Sequence, residues 1–129
     1  MKYYIKKLSK QDKTRTMVLN KEAVINFFNL SMLKRDDEET ISIIYSGNKK
    51  CVNTRIVLKQ DYRIFIDRNA FNVEDIAIFE KNDYDGIVKY KFNVISTNSI
   101  YYNEYVNMLT NSYTFLDKRY QLSVDKLVI

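Results

Sequence analysis

Two polar segments of this chain hold the side chains that can read the edges of base pairs. One is Ser9, Lys10, Gln11, Asp12, Lys13, Thr14, Arg15 and Thr16; the other is Lys59, Gln60, Asp61, Tyr62 and Arg63. Arg and Lys match the O6 and N7 acceptors of guanine, Gln matches adenine, Asp accepts from the cytosine amino group, and Ser or Thr serves phosphate or base. A segment that mixes basic residues with Gln and Asp suits sequence readout better than a purely basic one, which binds only backbone. Lys50, Arg55 and Lys59 partly share a strand face and add a phosphate-binding group. Against this stands the ordinary reading of polar loops between strands, which need no ligand to explain them.

Catalytic chemistry is poorly supplied. Histidine is absent, which removes Ser-His-Asp and Cys-His nucleophiles, imidazole acid–base work and His-ligated metals. The single cysteine, Cys51, opens a strand pattern and reads as a small buried hydrophobe rather than a nucleophile. A PD-(D/E)xK nuclease centre needs an acid and a lysine separated by one residue, but Glu80 and Lys81 are adjacent, and neighbours on a strand point to opposite faces. Asp36, Asp37, Glu38 and Glu39 are contiguous and read as a solvated connection. The only glycines are Gly47 and Gly86, so no glycine-rich phosphate loop exists. Asp83 and Asp85, either side of Tyr84, read as turn residues.

The elements that must position the two segments are mostly strands. The chain has 129 residues, 46% hydrophobic and 29% charged, the profile of one globular domain. Its formal charge of +5 is uneven. Residues 1–68 carry 15 basic and 8 acidic side chains, whereas residues 69–129 carry 6 and 8. Such asymmetry points to a polyanion, although a Lys-, Asn-, Ile- and Tyr-rich coding bias produces it too. No stretch is long and apolar enough for a membrane span or a signal peptide, which leads us to expect a cytoplasmic, reduced domain.

Lys2–Leu8 reads as a strand, Ser9–Thr16 as an exposed loop and Met17–Leu19 as a short strand ending at Asn20, a potential cap. Val24, Phe27, Phe28 and Met32 then recur at helical spacing. Strands follow at Ile41–Tyr45, Cys51–Leu58, Arg63–Ile66, Ile76–Phe79 and Ile87–Val94, with hairpin connections at Ser46–Lys50 and Asn82–Gly86. Ile100–Leu109 reads as a short helix. The expected fold class is mainly β (α+β), about seven antiparallel strands in a barrel-like sheet with two short helices. Residues 1–112 form the domain, and 113–129 either complete it or lead into a further unit. Eleven tyrosines alternate with aliphatic residues and read chiefly as packing, although they also suit stacking on single strands.

The opening YYIKKLSKQDKT, the short strand and the paired Phe, followed by RIVLKQDYRIFI and DIAIFEKNDYDGIVKYKFNVI, resemble the N-terminal effector domain of EcoRII-like type II restriction endonucleases over residues 3–110. That resemblance implies a plant B3-like DNA-binding pseudobarrel. It further implies double-stranded DNA as partner, gripped in the major groove by an N-arm after the first strand and a C-arm before a later one. The arms fall on Ser9–Thr16 and Lys59–Arg63. The second arm is shorter here than in the family, where it is long and rich in Arg and Lys.

Taken together, chemistry and resemblance assign base reading to Lys10, Gln11, Asp12, Lys13, Arg15, Gln60, Asp61 and Arg63. Phosphate contact falls to Lys6, Lys7, Ser9, Thr14, Lys49, Lys50, Arg55 and Lys59. The domain itself needs no cofactor, small-molecule substrate or membrane; Mg²⁺ is expected only for a nuclease domain outside this chain. Two rivals remain: a small protein-interaction module, such as a phage-encoded inhibitor of a host nuclease, and a barrel-type binder of single strands or RNA.

Overall fold

Strand alternation in this sequence carries apolar residues on one side in some segments and on both sides in others, and that difference sets the architecture. The computed structural model describes residues 2–117. Eight strands form one sheet: β1 (Tyr3–Lys7), β2 (Met17–Leu19), β3 (Glu38–Tyr45), β4 (Lys50–Leu58), β5 (Tyr62–Ile64), β6 (Ile76–Tyr84), β7 (Ile87–Ile95) and β8 (Tyr113–Leu116). Their order is β2-β5-β4-β3-β7-β6-β1-β8. Every pairing is antiparallel except β3 with β7, which run parallel from Ile43↔Tyr90 to Tyr45↔Phe92. The sheet curls into a half-barrel, so the expected seven antiparallel strands become eight with one parallel contact.

The inner face buries Tyr4, Met17, Leu19, Ile43, Ile56, Ile64, Ala77, Phe79, Tyr90 and Phe92 in one core. Phe27 and Phe28 plug it, with ring centroids 5.0 Å apart and near-perpendicular. The runs YYI of β1 and IAI of β6 are buried on both faces, because their outer side carries a second core of Tyr3, Ile5, Ile76, Ile78 and Ile95 under Tyr105 of α2 (Tyr102–Met108). By contrast, β4 alternates buried Ile56 with exposed Arg55, Asn53 and Cys51, and among the described residues no helix packs extensively on it. Cys51 is therefore exposed, not the buried hydrophobe expected, because the strand's alternation turns it away from the core.

The helix expected after Asn20 is present but short: Lys21 and Glu22 lead into a π turn, Ala23–Phe27, closed by Phe28 N–H to Ala23 O at 2.9 Å. β-Branched and aromatic residues support helix poorly, and Asn29 in the left-handed region (φ 59°) ends it. Met32 is 83% exposed in consequence. The Asn20 side chain does not cap the turn; its Oδ1 accepts from the Tyr4 hydroxyl at 2.6 Å. The expected turn at Asn82–Gly86 narrows to Asp85-Gly86, with Tyr84↔Ile87 as the closing pair. Both central residues have positive φ (51° and 80°), as a type I′ turn requires.

Tyr113–Leu116 pairs with β1, so the sheet continues past residue 112. Residues 118–129 of the expected C-terminal extension lie outside the described residues. Among the described residues, no helix is long and apolar enough to cross a membrane.

Candidate nucleic-acid interface

The first polar segment is not the loop its composition implies. Lys10–Thr14 forms a short helix, α1, opened by a capping box: Ser9 Oγ accepts from Asp12 N at 3.2 Å and Asp12 Oδ2 accepts from Ser9 N at 2.8 Å. Ser at the cap and an acid three residues on make that motif readable in the sequence. Asp12 also accepts from Val18 N–H at 2.8 Å and pairs with the Lys6 ammonium at 3.1 Å. Lys6 in turn donates to Val18 O at 2.6 Å. One carboxylate thus joins the end of β1, the start of α1 and β2.

These contacts correct two assignments. Asp12 is 1% exposed and Lys6 8%, so neither reaches a base or a phosphate. Lys6 shares the inward face of β1 with Tyr4, and burial pulls its pKa below the ordinary lysine value, partly offset by Asp12. Lys7 lies on the opposite face with Tyr3 and Ile5, the α2 side, away from α1. Lys13 is diverted as well. Its ammonium donates to Arg68 O and, at 2.6 Å, to Phe71 O, and sits 5.4 Å from the Phe71 ring centroid. It docks α1 on the 3₁₀ turn Arg68–Ala70 instead of reading bases. Arg68, which no sequence signal singled out, completes that docking by donating to Thr14 O at 3.1 Å.

The side chains that α1 leaves exposed and unpaired among the described residues are Lys10, Gln11 and Arg15. Ser9 and Thr14 are exposed too, although the Thr14 hydroxyl donates to Lys10 O at 3.0 Å.

The second segment links β4 to β5. β5 pairs with β2 through Met17↔Ile64, Val18↔Arg63 and Leu19↔Tyr62. Because the two strands are antiparallel, the arms stand at opposite ends of this short ladder, about 7–10 Å apart at roughly 3.4 Å per residue. Arg63 occupies the middle. Its Nε donates to Asp61 Oδ1 at 2.8 Å and its Nη1 to Thr16 Oγ1 at 3.1 Å. With 15% of its side chain exposed, Arg63 bridges the arms, and Asp61 serves as its partner. Gln60 is exposed at the tip of the second arm.

Between the arms lies the bare outer face of β2, β5, β4 and β3. Register places Val57 opposite both Arg63 and Glu38, so Arg63, Arg55, Lys59 and Glu38 share that face. Phe65 lies there, 39% exposed, with the Arg55 guanidinium 4.6 Å from its ring centroid. Arg55 also pairs with Glu38 at 3.3 Å and Lys59 with Asp36 at 2.8 Å, all four side chains at least half exposed. Exposed pairs of this kind stabilise a fold by about 0–1 kcal/mol. Lys49 and Lys50 are exposed at the other end of β4, about 27 Å from Leu58 by strand rise, and alternation sets Lys50 on the face of Ile56, not with Arg55 and Lys59 as expected. Lys50 and Asn69 line one open groove of about 630 Å³, which places that hairpin turn on the α1 side.

The acidic and aromatic alternatives resolve into structure. Asp37 caps Lys34 N–H at 2.9 Å. Glu80 accepts from Tyr3 OH at 3.4 Å on one face, while Lys81 donates to Phe27 O at 2.7 Å on the other. Tyr3, Tyr4, Tyr90 and Tyr105 are buried, which removes them as stacking platforms. Among the described residues, no group of three or more His, Cys, Asp or Glu side chains is placed to hold a metal.

No protein-family model and no curated protein sequence matches the chain. Solved structures do. The N-terminal domain of Helicobacter pylori LlaJI.R1 superposes with a TM-score of 0.74 over 92% of this chain and 100% of that one, at 17% identity. The B3 domain of the UbaLAI restriction endonuclease, solved with its cognate DNA, superposes with a TM-score of 0.50 over 71% of this chain and 65% of that one, also at 17% identity. The resemblance carried by YYIKKLSKQDKT and the later strands therefore holds at the level of the fold: by its architecture, this chain is a B3-like pseudobarrel.

Proposed function

We propose that this domain binds double-stranded DNA sequence-specifically, as the recognition domain of a restriction endonuclease. The duplex lies against the bare outer face of β2, β5 and β4, with α1 on one side and the Lys59–Asp61 arm on the other, both entering the major groove. The observation that carries the reading is the Arg63 bridge, which sets two exposed polar arms at fixed spacing across one sheet face. The B3 neighbour solved with cognate DNA supports the same partner.

In this reading Lys10, Gln11, Arg15 and Gln60 read bases, because they alone of the base-reading set are exposed and unpaired among the described residues. Ser9, Thr14, Lys49, Lys50, Arg55 and Lys59 meet phosphates. Arg63 and Asp61 position the arms. Any nuclease chemistry, with its Mg²⁺, belongs to a separate unit.

Selection of bound sites from a randomised duplex pool at about 150 mM salt, with single-stranded competitor present, tests the proposal. Non-specific binding at such salt is typically only about 10⁻⁴–10⁻⁶ M. Enrichment of one short motif is the expected result. Binding without a motif, lost as salt rises, would overturn it.

A further inference from the structure

The three cations on the sheet face all have anionic partners, Arg63 through Asp61 of the bridge. Arg55 is held by Glu38 at 3.3 Å and Lys59 by Asp36 at 2.8 Å. Neither carboxylate is placed by chance rotamers alone. Glu38 opens β3 and lies directly across the ladder from Val57, between Arg55 and Lys59 in sequence on the neighbouring strand. Asp36 sits in a left-handed conformation (φ 69°), and its N–H donates to Leu58 O at 2.7 Å, fixing its backbone one residue from Lys59. The next residue closes the same clasp, since Leu58 N–H donates to Asp37 O at 3.2 Å. The chain thus folds two acids onto the end of β4 beside the two cations of the proposed phosphate-contacting face.

We propose that Asp36 and Glu38 are internal competitors of the DNA phosphates and thereby determine specificity; the inference rests on the duplex-binding reading above. A non-cognate duplex offers this face only phosphate charge. It must displace Asp36 and Glu38 to engage Lys59 and Arg55, and exchanging one anion for another gains little. A cognate duplex adds base contacts from the arms, which hold it against the face long enough for the exchange to be driven. The pairs are nearly neutral for the fold because they are exposed to water. The same exposure leaves the carboxylates close enough to repel a phosphate chain in the same place.

The test compares wild type with Asp36→Asn, Glu38→Gln and the double variant, using a random-sequence duplex and the selected duplex between about 50 and 300 mM salt. Asn keeps the left-handed conformation accessible at position 36, and a thermal melt of each variant checks that the fold is retained. Random-duplex affinity should rise about three- to tenfold per substitution, and the ratio of selected to random affinity should fall. The slope of log K against log salt should steepen by about 0.9 per released cation, since each then neutralises a phosphate. A merely structural role would leave that slope unchanged. Unchanged slope and ratio in folded variants overturn the inference while leaving duplex binding intact. If wild type and variants alike fail to bind any duplex at about 50 mM salt, the duplex-binding reading falls, and this inference with it.

Discussion

Arg63 and Thr16, 47 residues apart in sequence, are joined by a hydrogen bond of 3.1 Å from guanidinium to hydroxyl. The same guanidinium holds Asp61 at 2.8 Å. A residue that looks like a base reader in a polar segment is instead the tie between two segments. Arg63→Ala should therefore weaken binding to all duplexes together and leave the ratio of selected to random affinity nearly constant. Arg63→Lys, which cannot form the two-directional fork, should behave in the same way. A change of preference at a single base pair, read by competition titration, would return Arg63 to the base-reading set.

Arg15 should behave differently. It is exposed at the end of α1 with no partner among the described residues. Arg15→Ala should cost about 1–3 kcal/mol on the selected site and relax the preference at one position. Repeating the site selection with the variant checks this.

Lys49 and Lys50 stand at the far end of β4 on an exposed turn. Replacing either by Ala should weaken every duplex alike and lower the salt slope by about 0.9. Loss of discrimination in these variants would contradict a purely phosphate role.

The Asp12 hub predicts a stability effect independent of any ligand. Removing a carboxylate that is 1% exposed leaves the buried Lys6 ammonium without its anionic partner, and the N–H groups of Ser9 and Val18 and the Ser9 hydroxyl without that acceptor. Breaking one partner of a buried pair costs about 3–5 kcal/mol, so Asp12→Ala should shift the urea midpoint strongly downward. Adding Lys6→Met should recover part of the loss by removing the unpaired charge. A double variant less stable than Asp12→Ala alone would show that Lys6 supports the fold without its partner.

Tyr90 predicts an alkaline limb. It is 7% exposed, and burial pushes its pKa up to about 12. A phenol that holds its proton more tightly when folded contributes stability that is whole below pH 10, its unfolded value, and is lost as pH rises towards 12. That loss amounts to about 2–3 kcal/mol. Lys6, whose pKa is lowered, acts in the opposite direction, since its unfolded form binds more protons below about pH 10.5. Burial also raises the pKa of Tyr4 and Tyr45 and lowers that of Lys81, and all of these act in both proteins, whereas Tyr90→Phe removes the Tyr90 contribution alone. The difference in unfolding free energy between the two proteins should therefore change by about 2–3 kcal/mol between pH 10 and 12. A difference that stays constant with pH would refute the assignment.

Much of this architecture was legible because strands announce themselves locally. Period-2 alternation in Ile41–Tyr45 and Ile87–Val94 follows from the pleat, and Asp85-Gly86 from the need for two positive φ angles in a tight hairpin. The positions of the two arms were legible for the same reason, being the polar interruptions between such strands. The length of the helix after Asn20 was not. Val24, Phe27 and Phe28 all enter the core as their spacing implies, but the helix ends in a π turn before Met32, which is exposed.

Residue types alone determined that this chain has a mainly β fold, no histidine chemistry, and two polar segments rich in hydrogen-bonding side chains. Only the tertiary structure decided which members of those segments face outwards. Lys6, Lys13 and Arg63 carry the same donors as Lys10 and Arg15, and composition cannot separate the two groups. What separates them is register: β1 turns Lys6 into the core, one helical turn aims Asp12 back at it, and β5 sets Arg63 beside Thr16. Each of these partners is remote or on another element, and a charged group that is buried must be paired, so the long-range contact fixed the role.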